Sequence, residues 1–410
     1  MAEWRQFGPI AVLFDAITSA TSSPQNRELF LRLQEADAKH RNEPYKPREL
    51  VKPVKTRWNS YYDCFDRACE LHTALDAYMQ LKIEEYQVTA ATRRKEPREQ
   101  PRKFIQEGGM HAKDWATITE YKQLLEPFKE ATMLLQGRGA SGSHGAIWEV
   151  LITFEWLLAQ LESQKERLQS INYEDPNAPE DHLKTNVNNA HAKLSEYYDK
   201  LGDSPIYFAA TILHPTYKYT LEDLWKVPDD HTEDLEGPHP FKDWLEQGYQ
   251  SFSRLWRLHK DKVAAKASRP SSSEGAARPH KRQRVGRALG RDDFLRSSIK
   301  AGQKQVASTM DDEYDIWKRE APLAEDDPLA RHPINYWLVT RSRYPVLSQL
   351  ALDVYSIPAA SADCERIFSE LGDLLSVRRL HMKPELLSAL QSIRSWRRIG
   401  LKAKHITNSL

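Results

Sequence analysis

Cysteine is scarce in this chain: Cys64, Cys69 and Cys364 are the three present in 410 residues, and no two of them stand as CxxC. That excludes a Cys-rich zinc module and makes an intracellular, reducing compartment the expectation. Long apolar runs are also missing. No stretch approaches the ~18 uninterrupted apolar residues of a membrane span, and the opening MAEWRQFGPI has an early acid instead of a signal-peptide core, so neither is expected. Nor is there an excess of one charge, since 59 Lys and Arg stand against 58 Asp and Glu. The molecule as a whole is therefore no electrostatic nucleic-acid binder, and any basic surface must be local. His72, His144, His214 and His381 are scattered, with no HExxH and no closely spaced pair on one helix. No metal site is expected, and no Ser-His-Asp or Cys-His nucleophile sits in a recognisable elbow.

What the sequence has in quantity is helical periodicity, whereas alternating strand-like runs are hard to find. Trp58, Tyr61, Tyr62, Phe65 and Cys69 form one apolar stripe. Ile118, Tyr121, Leu125, Phe128 and Leu135 form another, expected to bend at Pro127 because the ring removes a backbone donor. Ile147, Val150, Leu151, Phe154, Leu158 and Leu161 make the clearest amphipathic helix. Ser204 and Pro205 suit the cap and first turn of a helix carrying Ile206, Ala209, Ala210 and Leu213. Phe241, Trp244, Leu245, Phe252 and Leu255 repeat the pattern. Towards the C-terminus, Pro345 opens a helix with Leu347, Leu350, Ala351 and Val354, closed by Ile357 and Pro358. Cys364, Ile367, Phe368, Leu371, Leu374 and Leu375 give a broad stripe on the next helix. Pro384 and Glu385 begin a third, with Leu386, Leu390 and Ile393 on one side and Arg394, Arg397 and Arg398 at its end.

Polar inserts around Pro97, Gly137 and Asn172 read as solvated loops. GRGASGSHG, from Gly137, lacks the GK[ST] ending and the preceding strand of a phosphate loop. Between residues 261 and 310 the composition turns to Ser, Ala, Gly, Pro and positive charge, with too little apolar surface to offset chain ordering, so a disordered linker is expected. Its basic core, which includes Lys281, Arg282 and Arg284, reads either as a nuclear import signal or phosphate-contacting patch, or as a solvated tether.

Three phrases in residues 327–396 go further. DPL followed by INYWLV, the helix YPVLSQLALDVYSIP, and ADCERIFS leading into LSVRRLHMKPE resemble, in order and spacing, the C-terminal dimerisation region of hAT-superfamily DNA transposases. TRWNSYYDCF, from Thr56, is similar to the Arg-Trp motif in the family's helical insertion domain, and LLEPFKEATMLLQG and YFAATILHP follow in the family's order. The resemblance implies a metal-dependent ribonuclease-H-like core with two aspartates ahead of the Arg-Trp motif and one glutamate behind it, working with divalent Mg or Mn. Here the Arg57-Trp58 pair comes after a short lead-in, so the segment carrying both aspartates is expected to be missing, with Glu365 the match to the triad. Two-metal strand transfer needs several carboxylates, so Glu365 by itself reads as inactive, solvated or paired with a nearby arginine.

The expected architecture is therefore mainly α: a helical insertion-type domain over residues 1–260, a basic disordered linker over 261–310, and the dimerisation region over 311–410, with the ribonuclease-H-like sheet largely missing. The resemblance implies self-association through Trp337, Leu347, Leu350, Val354, Ile357, Ile367, Phe368, Leu371 and Leu375. Deprived of a catalytic sheet, the C-terminal stripe is expected to pack on the insertion domain or on a second copy of the chain. DNA contact is a secondary expectation, resting on Arg57, Trp58, Lys281, Arg282 and Arg284. Trp58 reads either as a base-stacking indole or as a packed core residue. No cofactor, membrane or small-molecule substrate is expected, and the location implied is the nucleus. Two rival readings remain: one half of a split transposase that supplies Glu365 in trans, and a non-functional transposon fragment.

Overall fold

In the computed structural model, residues 8–54, 58–92, 100–136, 146–175, 181–227, 240–267, 312–361 and 382–398 are described. Their helices are α1 (Pro9–Ala20), α2 (Pro24–His40), α3 (Asn59–Glu70), α4 (His72–Thr92), α5 (Lys103–Gln106), α6 (Ala112–Leu135), α7 (Val150–Gln169), α8 (Asp181–Leu201), α9 (Pro205–Ile212), α10 (Thr220–Leu224), α11 (Pro240–Ala267), α12 (Glu313–Lys318), α13 (Pro333–Thr340), α14 (Pro345–Tyr355) and α15 (Pro384–Arg398). A 3₁₀ turn, Ile147–Glu149, leads into α7. The fold is mainly α, as the periodicity implies, with no sheet among the described residues.

Proline does much of the punctuation. It begins α1, α2, α9, α11, α13, α14 and α15, where its fixed φ suits the first turn and its missing N–H has no intrahelical partner to lose. The Ser204 hydroxyl accepts from Ile206 N at 3.4 Å, as its place before Pro205 foretells. Ser23 caps α2 in the same way, accepting from Asn26 N at 3.2 Å. α6 runs through Pro127 as one helix.

The chain forms two compact units. The first comprises Met1–Leu134 and Thr153–Tyr197. Its core joins Leu13, Ala16 and Ile17 of α1 to Cys64, Phe65 and Ala68 of α3 and to Leu75, Tyr78 and Met79 of α4. Phe14 stacks on Phe65 with ring centroids 6.0 Å apart, and Ser19 shares a 2.9 Å hydrogen bond with the Tyr78 hydroxyl. Gln34 of α2 holds the extended stretch after it, donating to Arg48 O at 2.9 Å and accepting from Arg48 N at 3.1 Å. Burial pushes the Cys64 thiol up to about 12, which makes it an inert packing residue.

The second unit comprises Leu135–Ile152 and Tyr198–Leu410, so the compact body that contains the C-terminal region reaches back well before residue 261. The physical reason is α9, whose Phe208, Ala209, Ala210, Thr211 and Ile212 are all buried. A short helix apolar on every side must be enclosed by other elements. It is covered by the Ile147–Glu149 turn, by α11 and by α14. The Trp337 indole donates to Leu213 O at 3.1 Å, the Tyr355 hydroxyl to Ala210 O at 3.3 Å, and Thr211 Oγ1 to Trp148 O at 3.4 Å.

Candidate self-association surface

The C-terminal region is built on α12, α13 and α14. Asp312 caps α12, accepting from Tyr314 N at 3.2 Å while its oxygens take the Trp256 indole at 2.8 and 2.9 Å and Lys260 at 2.6 Å. At the other end of α12, the Lys218 ammonium donates to Trp317 O at 2.5 Å and Glu320 O at 3.0 Å and lies 3.9 Å from the Trp317 ring centroid. A cation there complements the dipole, and desolvation holds its pKa down at about 8. The N-terminus of α14 has no cap of its own, since Tyr344 cannot supply one. The Glu313 carboxylate from α12 takes that place, accepting from Val346 N at 3.0 Å and Leu347 N at 2.8 Å. Burial raises the Glu313 carboxyl above its ordinary value, against the two amide donors that lower it.

The residues expected to dimerise now divide. Trp337, Leu347, Leu350 and Val354 are buried inside the second unit, where α14 packs on α9, α11, α12 and α13. In this conformation their side chains present no surface to a partner. Ile357, just beyond α14, is 38% exposed. Ile367, Phe368, Leu371 and Leu375 lie outside the described residues, as do Glu365, Arg57, Lys281, Arg282 and Arg284. Trp58 is 40% exposed at the start of α3, and its ring meets Phe128 edge to face with centroids 6.4 Å apart.

What remains outward-facing in the C-terminal region is a set that the sequence reading only partly singled out. On α13, Ile334 and Leu338 share a face at i and i+4, with Val339 beside them, and all three are exposed. On α15, Leu386, Ala389, Ile393 and Trp396 are exposed at i, i+3, i+7 and i+10. That spacing makes a continuous apolar seam of the kind helices bury against each other. Arg394 and Arg397 flank it and are exposed. Large apolar groups are common singly on a surface, but a full stripe of them is not.

Among the described residues no cluster of His, Cys, Asp and Glu could hold a metal ion. No described helix is long and apolar enough to cross a membrane.

Residues 313–397 match the hAT family C-terminal dimerisation region. The match begins at the acid that caps α14 and ends within α15, so it takes in both the buried and the exposed sets. The chain is also similar to a fungal protein of Talaromyces stipitatus named "Putative transcriptional regulator tpeD", at 23% identity over 394 residues. The alignment covers 94% of this chain and 35% of that relative, so the chain spans about a third of its length.

Proposed function

We propose that this is a transposase-derived protein that self-associates through its C-terminal region. The single observation that carries the reading is the coincidence of the dimerisation-region match at residues 313–397 with the exposed seam of Leu386, Ala389, Ile393 and Trp396. A seam of that spacing loses apolar surface to water when two copies pair, at roughly 25 cal/mol per Å² buried. The chain is not proposed to catalyse transposition by itself. The resemblance matches Glu365 to one of the family's acids, and one carboxylate cannot hold two metal ions. Light scattering across a concentration series tests the association: the mass should rise from one chain to two, and a constant monomer mass refutes it.

DNA contact and a nuclear location form the second part of the proposal. They rest on Arg57 and Trp58, on the basic run with Lys281, Arg282 and Arg284, and on the regulatory name of the fungal relative. The exposure of Trp58 supports the stacking role over the packed one. By anisotropy with a single-stranded oligonucleotide, Trp58→Ala should weaken binding about tenfold, in keeping with the loss of one stacked base. An unchanged affinity removes Trp58 from the DNA surface.

A further inference from the structure

The second unit contains a cavity of about 350 Å³ that the self-association reading does not use. It lies where the end of α8, the start of α9, α10 and the first half of α11 come together, and its volume falls within the roughly 300–1,000 Å³ usual for small-ligand sites. Four aromatic rings line it: Tyr198, Phe208, Trp225 and Trp244. Their planes differ. Trp225 and Trp244 meet edge to face at 76° with centroids 6.0 Å apart, and Tyr198 is tilted by 53° against Trp244 at 5.5 Å. Phe208 lies nearly parallel to Trp225 at 6.0 Å. The Trp225 indole donates to the Tyr198 hydroxyl at 3.0 Å, which fixes those two rings relative to each other.

The charge of the lining is one-sided. Asp199 and Asp203 belong to it, and among the described residues no Lys, Arg or His does. Both acids are exposed, and among the described residues neither carboxylate has an ion-pair or side-chain hydrogen-bond partner. Trp244 is half-buried, whereas Tyr198, Phe208 and Trp225 are buried. The mouth is therefore acidic and open while the interior is aromatic. Gly248 of α11 is needed for this shape, because a Cβ there would sit 2.5 Å from Phe208 Cε2.

An anionic ligand is disfavoured by the two acids, and an uncharged apolar one makes no use of them. A cation with an apolar coat uses both parts: the ring faces attract positive charge, and a weakly hydrated ammonium loses little on leaving water. We propose that this cavity binds a methylated ammonium group, with Tyr198, Trp225 and Trp244 around the methyls and Asp199 and Asp203 at the mouth. The group could be carried by a free quaternary amine or by a methylated lysine side chain, and the inference is independent of self-association.

The test uses the full chain, followed by tryptophan fluorescence and calorimetry, with choline and with its neutral carbon isostere, 3,3-dimethylbutan-1-ol. Choline should bind saturably and the isostere at least about tenfold more weakly, since only the charge differs. Trp244→Ala should abolish the difference. Asp199→Asn combined with Asp203→Asn, which leaves every ring in place, should weaken choline about three- to tenfold and reduce its salt dependence. A short peptide with one trimethyllysine, compared with its unmodified twin, identifies the source. Preference for the modified peptide over choline assigns a protein side chain, and the reverse assigns a free amine. Equal binding of choline and the isostere, or no saturable response to choline or to either peptide, overturns the proposal.

Discussion

His214 shows how far one buried side chain can bind a turn to its protonation state. It is 4% exposed, its Nδ1 accepts from Thr216 N at 3.2 Å and Tyr217 N at 3.3 Å, and its ring stacks on Tyr217 at 4.1 Å. A proton on Nδ1 would break both bonds and charge a desolvated ring. Burial accordingly pulls the imidazole down to about 3, the backbone bond to Ala330 opposing only in part. With the folded value below the unfolded one, the unfolded chain binds the proton first as pH falls through about 6.5. This contribution to stability is complete above that pH and is lost progressively below it. At pH 5 the loss should amount to about 2 kcal/mol from this group. His214→Asn keeps an acceptor in place, so denaturant unfolding of this variant should lack that part of the decline between pH 7 and 5. An unchanged decline assigns it elsewhere. The sequence placed His214 among scattered histidines without metal spacing, but nothing in its neighbours signals burial. Part of its enclosure is long-range, from the Trp148 ring at 5.9 Å and the Ala330 backbone.

At the scale of elements, the periodic helices were the legible ones. The Ser204-Pro205 start, the Pro345 and Pro384 starts, and the end of α14 before Ile357 agree with the structure because each rests on local chemistry. α1 and α4 escaped a periodicity search for different reasons. The segment PIAVLFDAITSA of α1 is apolar on nearly every side, and α4 has apolar groups scattered around its circumference. The Glu313 bridge to α14 was equally out of reach, since a cap from another helix leaves no local motif. Replacing Glu313 by Ala leaves two amide donors without that acceptor and should cost about 1–2 kcal/mol by denaturant unfolding. A cost within about 0.3 kcal/mol would mean that water or a neighbour supplies the cap just as well.

For the whole molecule, the open question in the sequence was whether the C-terminal stripe packs on the helices before it or on another copy. The stripe from Cys364 to Leu375 lies outside the described residues, and the other residues of the region divide. Trp337, Leu347, Leu350 and Val354 are buried within their own unit, where α14 packs on α9, α11, α12 and α13, and the outward seam falls to Leu386, Ala389, Ile393 and Trp396. Leu386 and Ile393 stood on one side of the last helix in the sequence, but burial against α9 and exposure on α15 depend on contacts that periodicity does not contain. Deleting everything from residue 312 onward would strip the cover from Leu213 and Ala210 as well as the seam, so it cannot isolate association. Substitutions on the exposed face can. The direct measurement is sedimentation velocity of the full chain beside Leu386→Asp combined with Ile393→Asp, over one concentration series. The account predicts a concentration-dependent dimer for the parent and, for the variant, a folded monomer or a dimer at least about tenfold weaker, because two charges enter the buried seam. A parent that stays monomeric, or a variant that dimerises as well as the parent, would contradict it.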